Sequence, residues 1–142
     1  HAEIFYNHLK EFAGEEITAD GNYPIDIYST VEELLRSAQK NEYGEYDTVY
    51  KEFGDIANEE GFAVIGRTFH NIAGIEKVHG DRFGYFANLM EQNKLYVSDA
   101  QDGWMCTNCG YVFSSDKAPG KCPVCEHPQG YFIRLNMAPY TE

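Results

Sequence analysis

Several things are scarce in this chain of 142 residues, and each scarcity removes a class of function. Basic residues are few, 11 against 23 acidic ones, and the formal charge of −12 argues against phosphate backbones and anionic membranes, which are bound by clustered Lys and Arg. No uninterrupted apolar run reaches the length of a membrane span. Cysteine is confined to four positions near the end, in two Cys-x-x-Cys pairs, which reads as metal ligation in a reducing compartment rather than a disulfide framework. No signal-peptide pattern is visible, so a cytoplasmic location is expected; the chain opens on His1 rather than Met, and what precedes it stays open. Apolar residues are not scarce: 43% hydrophobic and 15% aromatic suffice for a packed core, so the chain is expected to be globular. Bound cations could offset part of the acidic excess.

Hydrophobic spacing predicts a mainly helical chain with a small appendage, divided at 1–97 and 98–142. Ile4, Phe5, Leu9 and Phe12 have helical spacing up to Gly14, like the tail of a helix. Residues 15–29 lack helical period and are expected to cross the length of a bundle. Ser29 or Thr30, each with a Glu three residues later, can open a helix by a capping box, and Gly61 ends it. Its apolar stripe is Val31, Leu34, Ala38, Val49, Phe53 and Ile56; carried through the gap, the rhythm lands on Glu42 and on Glu45 or Tyr46. The next helix, about 62–92 by its spacing, runs through Phe62, Ile65, Phe69, Ile72, Phe83, Phe86 and Met90, and its two missing beats are Glu76 and His79. Ser98 to Gly103 reads as a polar linker, and the short aromatic piece after it needs a metal to fold.

That piece carries Cys106-x-x-Cys109-Gly110 and Cys122-x-x-Cys125, two turns that can aim four thiolates at one ion. A structural zinc ribbon and a redox iron site both fit this spacing. An apolar jacket of Trp104, Tyr111, Phe113, Tyr131 and Phe132 favours iron, because excluding water tunes a redox centre.

Glu42-x-x-Glu45 and Glu76-x-x-His79 each place two ligand-type side chains on one helix face. Buried carboxylates are costly unless paired or metal-bound, and dinuclear bundles take a Glu from each of two helices and a Glu-x-x-His from each of the other two. The plainer alternative is a solvated acidic face with a hydrogen-bonded core histidine. It loses ground because the apolar stripe is interrupted on both helices. His1 extends the Phe5, His8, Phe12 stripe backward and belongs to the same pocket. His8 is expected to be packed, His70 to lie on the surface, and His127 to sit beside the knuckle without binding the metal. Among the tyrosines, Tyr46 is the candidate for a bond to a carboxylate.

Trp104-x-Cys106-x-x-Cys109-Gly110-Tyr111 with Ala118-Pro119-x-x-Cys122-Pro123-x-Cys125 resembles a rubredoxin domain. With His1-Ala2, Asn41-Glu42-x-x-Glu45, Asn58-Glu59-Glu60-Gly61-Phe62, Glu76-Lys77-x-His79 and Cys125-x-His127-Pro128-Gln129-x-Tyr131-Phe132, the whole chain resembles a rubrerythrin without its first helix and most of its second. The resemblance implies a ferritin-like four-helix bundle, partial in this chain, followed by a rubredoxin-like domain. It implies a non-haem diiron centre held by Glu42, Glu45, Glu76, His79 and His1, with His1 exchanging with Glu45, and an iron (or zinc) held by Cys106, Cys109, Cys122 and Cys125. The implied activity is reduction of hydrogen peroxide to water, with electrons passing from an NAD(P)H-linked donor protein through the knuckle; the alternative is an electron-transfer or iron-handling protein, a ferroxidase or an oxidase. The short linker predicts a homodimer in which each knuckle serves its partner's diiron site. Two ligating glutamates of the family have no counterpart here, which places the completeness of the diiron site in question.

Overall fold

The computed structural model describes residues 1–139, with backbone alone at 100–102; the last three positions of the expected second domain lie outside the described residues. The chain forms two compact units, His1–Ala87 and Asn88–Glu142, so the division falls earlier than the composition change near residue 97.

The first unit is helical. α1 (Ala2–Asn7) and a 3-10 turn (Lys10–Phe12) lead into a stretch without regular structure up to Thr30. Thr30 then caps α2 (Val31–Gly44): its hydroxyl accepts from the Glu33 N–H, and the Glu33 carboxylate accepts from the Thr30 N–H, a complete capping box. Beyond Gly44 the helix widens into a π turn (Glu45–Val49) before α3 (Tyr50–Glu59). The chain reverses at Gly61, whose φ of +89° is a left-handed conformation natural to glycine. α4 (Ala63–Glu91) follows.

α4 packs on α2 and α3 through small residues. A Cβ on Gly66, Gly80 or Gly84 would stand under 3 Å from Asn58, Tyr43 or Gln39, so these side chains lie directly on the α4 backbone. Ile72, Ala73, Glu76 and Ala87 are buried on the same helix. The apolar stripe expected to be core on α2 and α3 is a correction. Val31, Leu34, Val49, Phe53 and Ile56 are 39–57% exposed, because two long helices cover only one side of each other.

The second unit is a three-stranded antiparallel sheet of order β2-β1-β3, with β1 Val97–Cys106, β2 Val112–Lys117 and β3 Phe132–Arg134. The expected linker at Ser98 to Gly103 is another correction: it is strand, joined to β2 across an irregularity between Val97 and Asp102. Within it Asp102 pairs with Ser115 and Gly103 with Ser114 of β2. Trp104, Cys106, Ala118, Cys122 and Phe132 form the core, with Tyr96, Tyr111 and Cys125 packed against it. Among the described residues no helix is long and apolar enough to cross a membrane.

Candidate metal centres

The knuckle is built from two nearly equivalent turns. In the first, Gly110 N–H donates to Cys106 O at 2.8 Å and Cys106 N–H to Tyr111 O at 2.8 Å. In the second, Glu126 N–H donates to Cys122 O at 3.0 Å and Cys122 N–H to His127 O at 2.8 Å. Each turn needs a left-handed residue after its second cysteine, and finds it in Gly110 (φ +77°) and Glu126 (φ +63°).

The sulfurs converge: Cys106 Sγ lies 3.6 Å from Cys125 Sγ, and Cys109 Sγ 3.7 Å from Cys122 Sγ. A tetrahedral ion with metal–sulfur bonds of ~2.3 Å spaces its sulfurs ~3.75 Å apart, so the four thiols fit one such ion. Cys106 and Cys122 are buried while Cys109 is exposed. The Tyr111 N–H on Cys109 favours its thiolate, yet partial loss of hydration and the neighbouring sulfurs push this thiol up to about 12. The His127 N–H on Cys125 leads the causes that bring that thiol down to about 6. A bound cation would favour the thiolate form of all four.

The expected jacket is partly corrected. Trp104 and Phe132 are buried and Tyr111 is partly so, but Phe113 and Tyr131 lie at the surface. Trp104 Nε1 donates to Ser115 O at 3.0 Å, and the Arg134 guanidinium sits 5.5 Å from the indole centroid. Tyr131 packs its ring against His127, whose Nδ1 is 3.1 Å from Cys125 O.

The helical unit assembles a second cluster. Glu42, Glu76 and His79 bring ligand atoms within 4.8 Å of one another. Glu76 is 3% exposed, and its oxygens face two histidines: Oε1 lies 2.7 Å from His1 Nδ1 and Oε2 2.8 Å from His79 Nδ1. Glu42 Oε2 is 3.4 Å from His79 Nδ1. An octahedral ion with bonds of ~2.1 Å spaces adjacent ligand atoms ~3.0 Å apart, so these separations suit hard cations as well as direct pairing. Burial raises the Glu42 carboxyl above its ordinary range, and the Glu76 charge raises it further.

Glu45 stands outside this three-membered group. Burial and the Glu42 charge raise its carboxyl, against which a hydrogen bond from Tyr50 acts. Tyr50, not Tyr46, is therefore the tyrosine on Glu45. The π turn explains it: the Tyr50 N–H bonds Glu45 O, five residues back, which brings the two side chains to one face. Burial first, then the Glu45 charge, lifts the Tyr50 hydroxyl above its usual value. Only the helix-widening could have disclosed this pairing, and no residue type marks it. Phe5, Tyr50 and Phe69 pack on one another and Phe53 meets Phe69 edge-on, with ring centroids 5.1–6.1 Å apart. His8 is tied to Thr68 at 3.0 Å, and His70 pairs with Asp55 at 3.2 Å, as befits packed and surface histidines.

The comparisons with known proteins agree with this layout. A family model described as rubrerythrin matches residues 1–87, and one described as the rubrerythrin rubredoxin-like domain matches residues 104–133. The chain is 37% identical over 133 residues to a rubrerythrin of Clostridium perfringens, covering 93% of this chain and 68% of that protein. It is 39% identical over 132 residues to a rubrerythrin of Porphyromonas gingivalis, covering 93% and 64%. Fully reduced, all-ferrous nigerythrin shares the fold, with a TM-score of 0.51 at 24% identity over 93% of this chain and 61% of that one. The chain thus spans 61–68% of the length of these proteins.

Proposed function

This chain belongs to the rubrerythrin family, and from that premise we propose that it acts as a non-haem diiron peroxidase, reducing hydrogen peroxide to water with electrons delivered through its cysteine knuckle. The family carries a diiron site in its helical region and a rubredoxin-type Fe(Cys)4 site in its knuckle, and both sets of donors here fit such ions. When bound, the iron pair supplies the two electrons that, with two protons, turn one peroxide into two waters.

The chain's own residues do the rest. Glu76 offers one oxygen toward each histidine and would, with them, help hold the iron. Tyr50, whose hydroxyl is bonded to Glu45, offers a proton beside the pocket, where the reaction consumes protons. His1 is the ligand that would exchange with Glu45, which stands beside the cluster rather than in it. In the knuckle, the buried Cys106 and Cys122 and the Trp104 indole exclude water, while exposed Cys109 faces an electron donor. We assign that donor to an NAD(P)H-linked protein, the location to the cytoplasm, and the working unit to a homodimer in which one knuckle serves the partner's pocket. Neither nucleic acid nor membrane is a partner, given the charge of −12.

The observation that carries this reading is the buried Glu76 carboxylate held between two imidazoles in a chain that also presents four thiols close enough to share one tetrahedral ion. A second reading, an electron-transfer or iron-handling protein, rests on the knuckle, whose four convergent thiols would by themselves hold one redox-active iron. Anaerobic stopped-flow mixing of the reduced, iron-loaded protein with peroxide or with dioxygen decides between them. Faster knuckle reoxidation by peroxide supports the peroxidase. Faster reoxidation by dioxygen supports an oxidase or ferroxidase, and iron at the knuckle alone supports an electron carrier.

A further inference from the structure

The join most open to adjustment in the pocket is the one between helices. Glu76 and His79 share α4, so their separation is set by that helix. Glu42 belongs to α2, and its 3.4 Å approach to His79 depends on how closely the two helices lie. On the flank of the pocket, Tyr43 reaches from α2 to α4 and its hydroxyl donates to Asp81 Oδ1 at 2.7 Å. The other oxygen of Asp81 accepts from Lys77 Nζ at 2.7 Å, one helical turn back. Both carboxylate oxygens are engaged, so the acceptor is held in orientation. Gly80 makes the crossing possible: a Cβ there would lie 2.6 Å from the Tyr43 ring and 3.4 Å from Glu42 Cβ. The ring takes the space a side chain would fill.

These residues interleave with the pocket residues in sequence: Glu42 then Tyr43 on one helix, Glu76 then Lys77 and His79-Gly80-Asp81 on the other. Adjacent helix positions point ~100° apart, so one member of each pair turns into the pocket and the next turns to the flank. We propose that Tyr43 and Asp81, oriented by Lys77, form an inter-helix latch that fixes the distance from Glu42 to the Glu76–His79 pair and so sets the metal affinity and geometry of the carboxylate pocket. They are positioning residues, acting through the backbone of the ligand-bearing helices. The proposal rests on the reading of that pocket as a metal site. A hydroxyl-to-carboxylate bond is charge-assisted and short; partners bonded directly to metal ligands change metal affinity 10–100-fold when removed, and this exposed latch, one step further out, sits at about the lower bound.

Cobalt(II) titration of the full chain tests this, because thiolate-bound cobalt gives intense charge-transfer bands and carboxylate-bound cobalt only weak d–d bands, so each site reports separately. Tyr43→Phe removes the hydroxyl and keeps the ring over Gly80; Asp81→Asn removes the charge and decides the matter should Tyr43→Phe lose its helical signal. Asp55→Asn, which breaks the Asp55–His70 pair between α3 and α4, is the control for a general loss of helix pairing. Both latch variants are expected to weaken cobalt at the pocket by about 10-fold and to alter its d–d bands, while the knuckle bands, and both sites in Asp55→Asn, stay as in the wild type. Latch variants that match the wild type overturn the latch alone, as does an equal loss in Asp55→Asn. A wild-type chain that takes cobalt only at the knuckle overturns the metal-site reading and the latch with it.

Discussion

The two units solve one problem, holding a cation, in opposite ways. The knuckle takes all its ligands from two short turns, and the residues that hold the sulfurs also form the unit's core: Cys106 and Cys122 are as buried as Trp104. The helical pocket gathers His1, Glu42, Glu76 and His79 from the chain's start, α2 and α4, beside apolar stripes that remain exposed. In the knuckle, metal and fold are one event. In the helical unit the helices form by their own capping and packing, and the pocket is a charged inclusion that metal would relieve.

The largest expected effect breaks that contrast at its strong end. Cys106→Ser removes a buried thiolate whose metal supplies folding energy on the order of 10 kcal/mol in comparable small domains. The second unit is expected to lose its metal and its near-ultraviolet signal from Trp104, while the helical circular dichroism of the first unit persists. Loss of both signals together would show that the units are not independent. Next in size is Glu76→Gln, which keeps the shape of the carboxylate but not its charge. The pocket should lose at least about 100-fold in metal affinity, more than an outer partner commands, with knuckle absorption unchanged. Isothermal titration against the visible spectrum measures both.

Much of this contrast could be read from the chain before its coordinates. The cysteines lie within twenty residues of one another and declare themselves by spacing. Glu76 and His79 were visible as missing beats in an otherwise apolar rhythm, and Thr30 as a capping residue, because straight helices preserve period. Tyr50 was not visible, since the π turn resets the count after Glu45 and makes Tyr46 the natural candidate. Nor was β1 legible at 98–103: this polar run enters the strand through an irregularity between Val97 and Asp102, which no alternation of side-chain polarity marks. The latch was hidden for a third reason, that Gly80 reads as a helix flaw until the Tyr43 ring is seen against it.

A pH series sharpens the comparison further. Glu42 and Glu45 have carboxyls raised by burial and by a neighbouring carboxylate, so the folded helical unit binds protons more tightly there than the unfolded chain. The stability these two carboxyls give the metal-free unit should therefore be complete below the ordinary carboxylate range and be lost as pH rises through the raised folded values. Metal binding reverses the slope, because the ligands must lose their protons to bind. Urea midpoints of the helical signal at several pH values, with and without divalent cobalt, measure both slopes. A metal-free midpoint that rises over that window would mean Glu42 and Glu45 are not held up.

The smallest effect lies within the knuckle, where two equivalent turns use different residues at one conformation. Gly110 adopts φ +77° freely, whereas Glu126 holds φ +63° with a side chain that disfavours it. Gly110→Ala should destabilise the metal-loaded knuckle by about 1 kcal/mol. Glu126→Gly should do the reverse and gain less, about 0.5 kcal/mol, because glycine loses more chain entropy on folding and the exposed pair between Glu126 and Lys121 at 3.3 Å is lost. Rates of metal loss to a chelator, compared across the two variants, read the difference directly. Equal effects of the same sign would mean that the turns are not interchangeable and that Glu126 contributes something its backbone angle does not reveal.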